Sequence, residues 1–369
     1  MCSPFQFFPD YLAEGGLDVL VLERRELLGG ATVTEEPLPG FRYSVFSYLV
    51  SLLRPEVIEE LDLLRHGLTL LPMESTFNPL PDGDYLLREA DPWRTYHNLK
   101  RHSRRDAEAY SEYKLAMQHM AQLMVRVQSV APPDLQREGA TPEAAHEWVD
   151  LARRLLEVPR DRLHLLLFML TASAEDLLDR WFESDALKAA LSTSATIGSF
   201  VSPRSPGSAY VLLHHYMGEI DGVFRAWAFP KGGTGAVAEA IASAARARGA
   251  TIRTEAAVAA LQTRDGEVSG VVLEDGAEIE ASVVLSSLAP WPSLVALPPE
   301  GTMPRELHED VARWRDRGCS GKVNLCLDGL PEFRALPGRG RHMAGGVSIA
   351  PGLDYIERAY QDAKYGRWA

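Results

Sequence analysis

Glu23 closes the apolar run Asp18-Val-Leu-Val-Leu, and Gly29-Gly30 follows six residues later with Arg25 between. A run this short and this apolar reads as a strand buried on both faces, as in a parallel sheet. An acid at the C-terminal end of such a strand can accept hydrogen bonds from a ribose diol. Two adjacent glycines let the backbone approach a ligand closely and turn N–H groups toward phosphate, and an arginine beside them can neutralise a diphosphate. Taken singly, Glu23 reads equally as a surface carboxylate paired with Arg24 or Arg25, and the glycines as an ordinary loop. The spacing Glu-x-Arg-x-x-x-Gly-Gly after a buried strand favours cofactor binding.

The elements around these residues follow from local signals. Tyr11–Gly16 reads as the end of a helix stopped by glycine, giving the order helix, strand, acid. Pro55 after Arg54 and Pro92 after Asp91 each suit the first position of a helix. Between 103 and 129, Tyr110, Tyr113, Met117, Met120 and Met124 recur at helical spacing, the pattern of a core-facing stripe. Residues 130–140, with Pro132, Pro133 and Gly139, read as a loop, and further helices are expected between about 142 and 192. Phe229-Pro-Lys-Gly-Gly-Thr-Gly235 leads into an alanine-rich helix over 236–248 closed by Gly249. Strand-like runs follow at 251–253, 257–263, 268–273 and 278–286. Asp265-Gly266 and Asp275-Gly276 separate the last three, as in an antiparallel meander.

The bulk numbers exclude several classes. The 369 residues carry a formal net charge of -13, which repels nucleic acid. The basic run Lys100, Arg101, His102, Arg104, Arg105 reads as a solvated helix face. The three cysteines, Cys2, Cys319 and Cys326, have no C-x-x-C spacing, so a disulfide framework, a zinc site or a dithiol centre is not expected, and no metal site is assigned. No apolar run reaches the ~20 residues that span a bilayer, although a peripheral membrane contact stays compatible with the sequence. The opening residues lack the pattern of a signal peptide.

His214 and His215 are adjacent. On a strand they would face opposite ways and could not share a metal, so they read as structural histidines. Tyr210 and Trp227 suit either the core or the wall of an apolar pocket.

At this point the sequence resembles a family. LDVLVLERRELLGGATVTEEPLPGFRYS looks like the second strand and diphosphate loop of the FAD-dependent amine oxidase and phytoene desaturase superfamily, nearest its phytoene-dehydrogenase-like group. The likeness continues in Ser51–Pro55, Gly207–Gly218, Phe229–Ala236 and the meander to Leu288. It implies an α/β fold, α+β overall. An incomplete Rossmann-like FAD-binding domain with a parallel sheet and a β-meander would take residues 1–75 and 206–295. A largely helical substrate or cap domain would take residues 76–205 and 296–369. It implies FAD as cofactor: Glu23 on the adenosine ribose, Arg25, Gly29, Gly30 and Thr32 along the diphosphate and ribityl path, and Val258 holding adenine through its backbone. Gly232 and Gly233 would let the chain pass close to the flavin domain. Ala31 stands where the amine oxidases carry arginine, and Ser44 and Phe46 replace the Asp-x-Gly pattern of bacterial carotenoid desaturases. The G-x-G-x-x-G turn that opens such folds, and their second FAD segment near the C-terminus, do not stand in this sequence. The expectation is a chain short of one segment at each end.

The implied reaction is hydride transfer from a C–C or C–N bond of a small apolar substrate to flavin; no residue stands out as a catalytic base. The alternatives are a non-catalytic or regulatory remnant, with a link to mitochondrial function, and a nicotinamide-dependent dehydrogenase. The expected location is cytoplasmic for a bacterial chain and the mitochondrial matrix for a eukaryotic one. Protein partners are unassigned.

Overall fold

A computed structural model describes residues 8–129, 146, 148–149, 152–153, 155–156, 158–220, 222–314 and 320–367. The expected loop at 130–140, the first of the helices expected after 142, and Cys2 and Cys319 lie outside them. The chain forms two compact units. The first comprises residues 1–71, 228–317 and 322–326, and the second residues 72–227, 318–321 and 327–369.

The first unit opens with helix α1 (Phe8–Glu14) and strand β1 (Leu20–Leu22). A 3-10 turn over Gly30–Thr32 leads into the hairpin β2 (Thr34–Leu38) and β3 (Phe41–Ser44). Helix α2 (Pro55–Glu60) follows with proline in its first turn, as the sequence predicts, and β4 (Leu70–Pro72) leads out.

In the second unit β5 (Ser75–Pro79) and β6 (Tyr85–Glu89) form a hairpin. Asp91 caps helix α3 (Pro92–Lys100), accepting from the Trp93 and Arg94 N–H groups. Ser103 caps α4 (Arg104–Gln128) in the same way through the Asp106 N–H. The stripe Tyr110, Tyr113, Met117, Met120 and Met124 on α4 is buried. Asp106 is buried too, and its carboxylate accepts from the Glu183 and Ser184 N–H groups at 2.8 and 3.0 Å. The unit continues with α5 (Arg160–Thr171), α6 (Ala174–Asp179), α7 (Asp185–Ser192) and α8 (Ser208–His214). The short hairpin β7 (Glu219–Ile220) and β8 (Val223–Phe224) follows. The basic run at 100–105 is solvated: Lys100, Arg101, Arg104 and Arg105 are exposed, and Arg104 pairs with Glu108 one turn on.

The chain returns to the first unit through β9 (Ala228–Pro230), which pairs with β4, and α9 (Gly235–Ala247). Strand β10 (Thr251–Arg253) lies parallel to β1, Leu20 opposite Thr251 and Leu22 opposite Arg253. The meander is β11 (Val258–Arg264), β12 (Glu267–Leu273) and β13 (Glu278–Glu280). At its first turn Asp265 and Gly266 both have positive φ, 54° and 83°, the conformation a two-residue hairpin needs. Helix α10 (Arg305–Arg313) follows. In the second unit β14 (Gly345–Val347) adds parallel to β5, and α11 (Leu353–Lys364) comes last. The fourth strand-like run is shorter than its composition suggests: β13 ends at Glu280, and Val283 and Leu285 are exposed. Strand β1 differs as well. It is not buried on both faces, since Leu20 is 41% exposed and Val21 and Leu22 are only half-buried, and among the described residues only β10 pairs with it.

Helix α1 is tied to α9 and α2 by polar groups. Arg248 lies 3.6 Å from Asp10 and 3.6 Å from Glu14 and donates to the Glu60 carbonyl; the Tyr11 hydroxyl donates to Glu60. The Asp10 carboxyl has no exposed surface, and its oxygens have no well-formed hydrogen bond among the described residues. Burial pushes its pKa from 3.8 up to about 6, with Arg248 pulling the other way. A folded-state pKa above the unfolded one means that the folded chain holds this proton more tightly. The stabilisation is therefore full below pH 3.8 and is lost as pH rises through 6. At neutral pH the ionised group costs at most roughly 3 kcal/mol. In Asp10→Asn this fall in stability is expected to disappear. Denaturant melts of both proteins at about pH 5 and about pH 7.5 check it; equal pH dependence in the two would refute the assignment.

Candidate functional site

The residues of the first unit singled out from sequence lie after β1, on the 29–34 turn, on the loop before α9 and at the start of β11. Glu23 follows β1 directly. Its N–H donates to the Arg253 carbonyl at 3.0 Å, and its own carbonyl accepts from the Ala256 N–H at 2.9 Å. The half-buried carboxylate accepts the Arg25 N–H through Oε1 at 2.9 Å, which orients the side chain and leaves Oε2 without a donor among the described residues. Arg25 forms an ion pair with Glu35 at 2.5 Å. It can reach a diphosphate only by sharing or releasing that carboxylate.

Gly29 and Gly30 differ in role. Gly29 is buried at φ 122°, and a Cβ there would lie 2.8 Å from the Ala238 Cβ and 2.9 Å from Thr32 Oγ1. The turn thus runs directly over α9, whose alanines leave room for it. Gly30 is exposed at φ 55° with nothing within 4 Å of its Cβ position, so its backbone faces open space. Thr32 is buried, and both its N–H and its hydroxyl donate to the Gly29 carbonyl, at 2.9 and 2.8 Å. It braces the loop from below and has no donor left for a ligand.

Gly233, at φ 87°, and Gly235 pack onto β2 and β3. A Cβ on Gly233 would meet Thr34 Oγ1 at 2.4 Å, and one on Gly235 would meet the Thr34 nitrogen at 2.8 Å. Thr34 Oγ1 accepts the Gly235 N–H, Ser44 Oγ accepts the Thr234 N–H, and the Thr234 hydroxyl donates to the Ser47 carbonyl. Thr34 and Thr234, not singled out from sequence, and Ser44, noted there only as a departure from the desaturase pattern, therefore seat the start of α9. Gly232 is open at φ 89°.

Val258 begins β11 opposite Leu273, and Leu22 and Val258 pack against the same cluster of Ala256, Val271 and Leu273. A cleft of about 500 Å³ borders this end, lined by Arg24, Glu26, Glu255–Ala257 and Leu273–Asp275. Four carboxylates against one arginine suit a neutral sugar or base better than a phosphate. Neither Gly30 nor Val258 lines it.

In the second unit the histidine pair sits at the end of a helix, not on a strand. His214 is the last residue of α8 and His215 caps it, with ring centroids 5.6 Å apart. His215 donates through Nδ1 to the Val211 carbonyl at 2.8 Å and stacks on Trp227 at 5.9 Å. Burial lowers both pKa values, so both rings are neutral at pH 7. Among the described residues no three His, Cys, Asp or Glu side chains are grouped to hold a metal ion, and no helix is long and apolar enough to cross a membrane.

A family profile described as flavin containing amine oxidoreductase matches residues 10–356. The chain belongs to this family. Membership makes a flavin the expected cofactor of this oxidoreductase fold. The chain is 37% identical, over 96% of its length, to pyridine nucleotide-disulfide oxidoreductase domain-containing protein 2 of Rattus norvegicus, and it spans 64% of that relative's length. It is also 34% identical to one component of the limonene dehydrogenase of Castellaniella defragrans, over 30% of this chain and 20% of that one. Among solved structures, an oxidoreductase from Methanosarcina mazei shares the fold, with a TM-score of 0.51 and 14% identity over 84% of this chain and 62% of that one.

Proposed function

We propose that the chain acts in an FAD-dependent oxidoreductase that removes hydride from a C–C or C–N bond of a small apolar substrate, in the manner of the phytoene-dehydrogenase-like group. The first unit would hold the cofactor and the second the substrate. The observation that carries the reading is the geometry at Glu23: a strand-end carboxylate oriented by the Arg25 N–H, with its other oxygen accepting no hydrogen bond among the described residues, followed seven residues on by an open left-handed Gly30. That pairing suits a ribose diol followed by a diphosphate. Glu23 would accept the ribose hydroxyls, Gly30 would admit the phosphates close to the backbone, and Val258 would present its backbone to the adenine. Arg25 would neutralise phosphate charge at the expense of its pair with Glu35. Bound flavin supplies the hydride acceptor; the protein supplies position and a dry surround. The likeness to the limonene dehydrogenase component supports a hydrocarbon-like substrate, and the match to the flavin containing family supports the cofactor.

Titration of the purified protein with FAD and, separately, with NADH tests the reading. The expected result is visible flavin absorbance that stays with the protein through gel filtration, and no saturable response to NADH. Protein that stays colourless in excess FAD favours the non-catalytic alternative, and NADH saturation without FAD retention favours the nicotinamide one.

A further inference from the structure

Helix α11 carries no cap of its own. The residue before it is Gly352, which has no side chain to accept the first N–H groups. The acceptor comes from another helix. Asp185, at the start of α7, takes the Leu353 N–H through Oδ2 at 3.3 Å. The approach requires glycine, since a Cβ at position 352 would lie 2.3 Å from the same oxygen. One carboxylate thus faces the positive ends of two helices, α7 and α11.

A second tether holds the same turn. Arg204 reaches Asp354 at 2.7 Å and grips Glu175 on α6 at 2.8 and 3.2 Å. Asp354 is 76% exposed. An ion pair in such a position contributes little and is screened by salt. Beyond the first turn the attachment is thin. Leu353 is the one buried residue of the helix, while Ile356, Glu357, Tyr360 and Gln361 are half-buried along one face. The Tyr360 ring meets Phe200 at 5.5 Å. Glu357 accepts from Gln361 at 2.6 Å, but its Oε2 is buried without a hydrogen-bond partner among the described residues, which costs stability. A helix of twelve residues is marginal in water by itself. Once detached, α11 loses the Asp185 acceptor together with the partners of its inner face. Its folding and its docking therefore depend on each other.

We propose that α11 is a salt-sensitive strap that leaves α7 by unfolding, and that its release bares Phe200 while the core of the second unit stays folded. The strap and both tethers lie within the second unit, so the proposal goes beyond the flavin reading and stands whether or not FAD binds.

Hydrogen exchange of the full chain, read by mass spectrometry, tests it. Residues 357–364 are expected to exchange faster than the α4 core from Tyr113 to Met124. Raising the salt from about 0.02 M to about 0.5 M should speed exchange in the strap about threefold and leave the α4 core unchanged. Arg204→Met should speed the strap about threefold as well. Gly352→Ala, which drives a carbon into Asp185 Oδ2, should speed it about tenfold. Circular dichroism checks the fold of each variant, and Arg204→Met alone serves if the Gly352 variant does not fold. A helix that swings away intact keeps these amides hydrogen-bonded, so strap exchange indifferent to the variants overturns the proposal. Exchange in the strap as slow as in the α4 core overturns it too, as do variants that speed both regions alike.

Discussion

Glu23→Ala is expected to weaken FAD binding about ten- to a hundredfold, the loss of one or two hydrogen bonds to a charged acceptor, while the protein keeps its fold. The fold survives because Glu23 holds β10 and the Ala256 turn through its backbone groups, not through its carboxylate. The side chain receives only the Arg25 N–H, in a half-buried position. Flavin fluorescence titration measures the affinity and thermal unfolding of the apoprotein measures the fold. Glu23→Gln should recover part of the affinity, since an amide oxygen still accepts from a ribose hydroxyl. FAD affinity unchanged in Glu23→Ala would remove the carboxylate from the cofactor site.

Gly29→Ala is expected to act on the fold instead. The backbone at φ 122° lies in a region that favours glycine, and the added carbon would press on Ala238 and Thr32. Strain of roughly 1–3 kcal/mol and overpacking of a similar size both apply. The sum, about 2–6 kcal/mol, would lower the unfolding temperature by about 3–8 °C in a chain of this size. Gly30→Ala should cost only about 1 kcal/mol, because φ 55° is accessible to alanine at that strain and nothing lies within 4 Å. Differential scanning calorimetry of the two variants side by side tests the contrast. Similar losses in both would mean that the loop does not bear on α9 as described.

The parts of this structure that were legible from sequence are those settled within a few residues. Asp265-Gly266 selects its turn through backbone conformation, Asp91-Pro92 opens α3 through a side-chain cap and a preset φ, and the 3.6 period of tyrosine and methionine marks the buried face of α4. The β5–β6–β14 sheet was not legible. Gly345-Gly346 carries no strand signal of its own, and β14 exists because Ser75–Phe77 offers it a distant edge. The helix α8 was equally obscure, since Tyr-Val-Leu-Leu-His-His suits either state locally and packing decides. At the candidate site, the acid and the glycine pair were visible as residue types at a spacing. The hydroxyls of Thr34 and Ser44 that seat α9 were not, because their partners lie 201 and 190 residues further along the chain.

The first unit is assembled from segments that the ribosome delivers far apart. Leu20 must wait for Thr251, far later in synthesis, before the β1–β10 pair can close. The intervening stretch of the second unit, residues 72–227, has its own ends together, the Met73 N–H meeting the Trp227 carbonyl at 2.7 Å. If it condenses first, it gathers the strand-forming ends and shortens the effective loop about threefold, saving about 1 kcal/mol of closure entropy. Closure of the β1–β10 pair is then favoured by prior folding of that stretch. A lesion in the α4 core is then expected to slow the pairing that sets Glu23 at the end of β1, although the two are encoded far from each other.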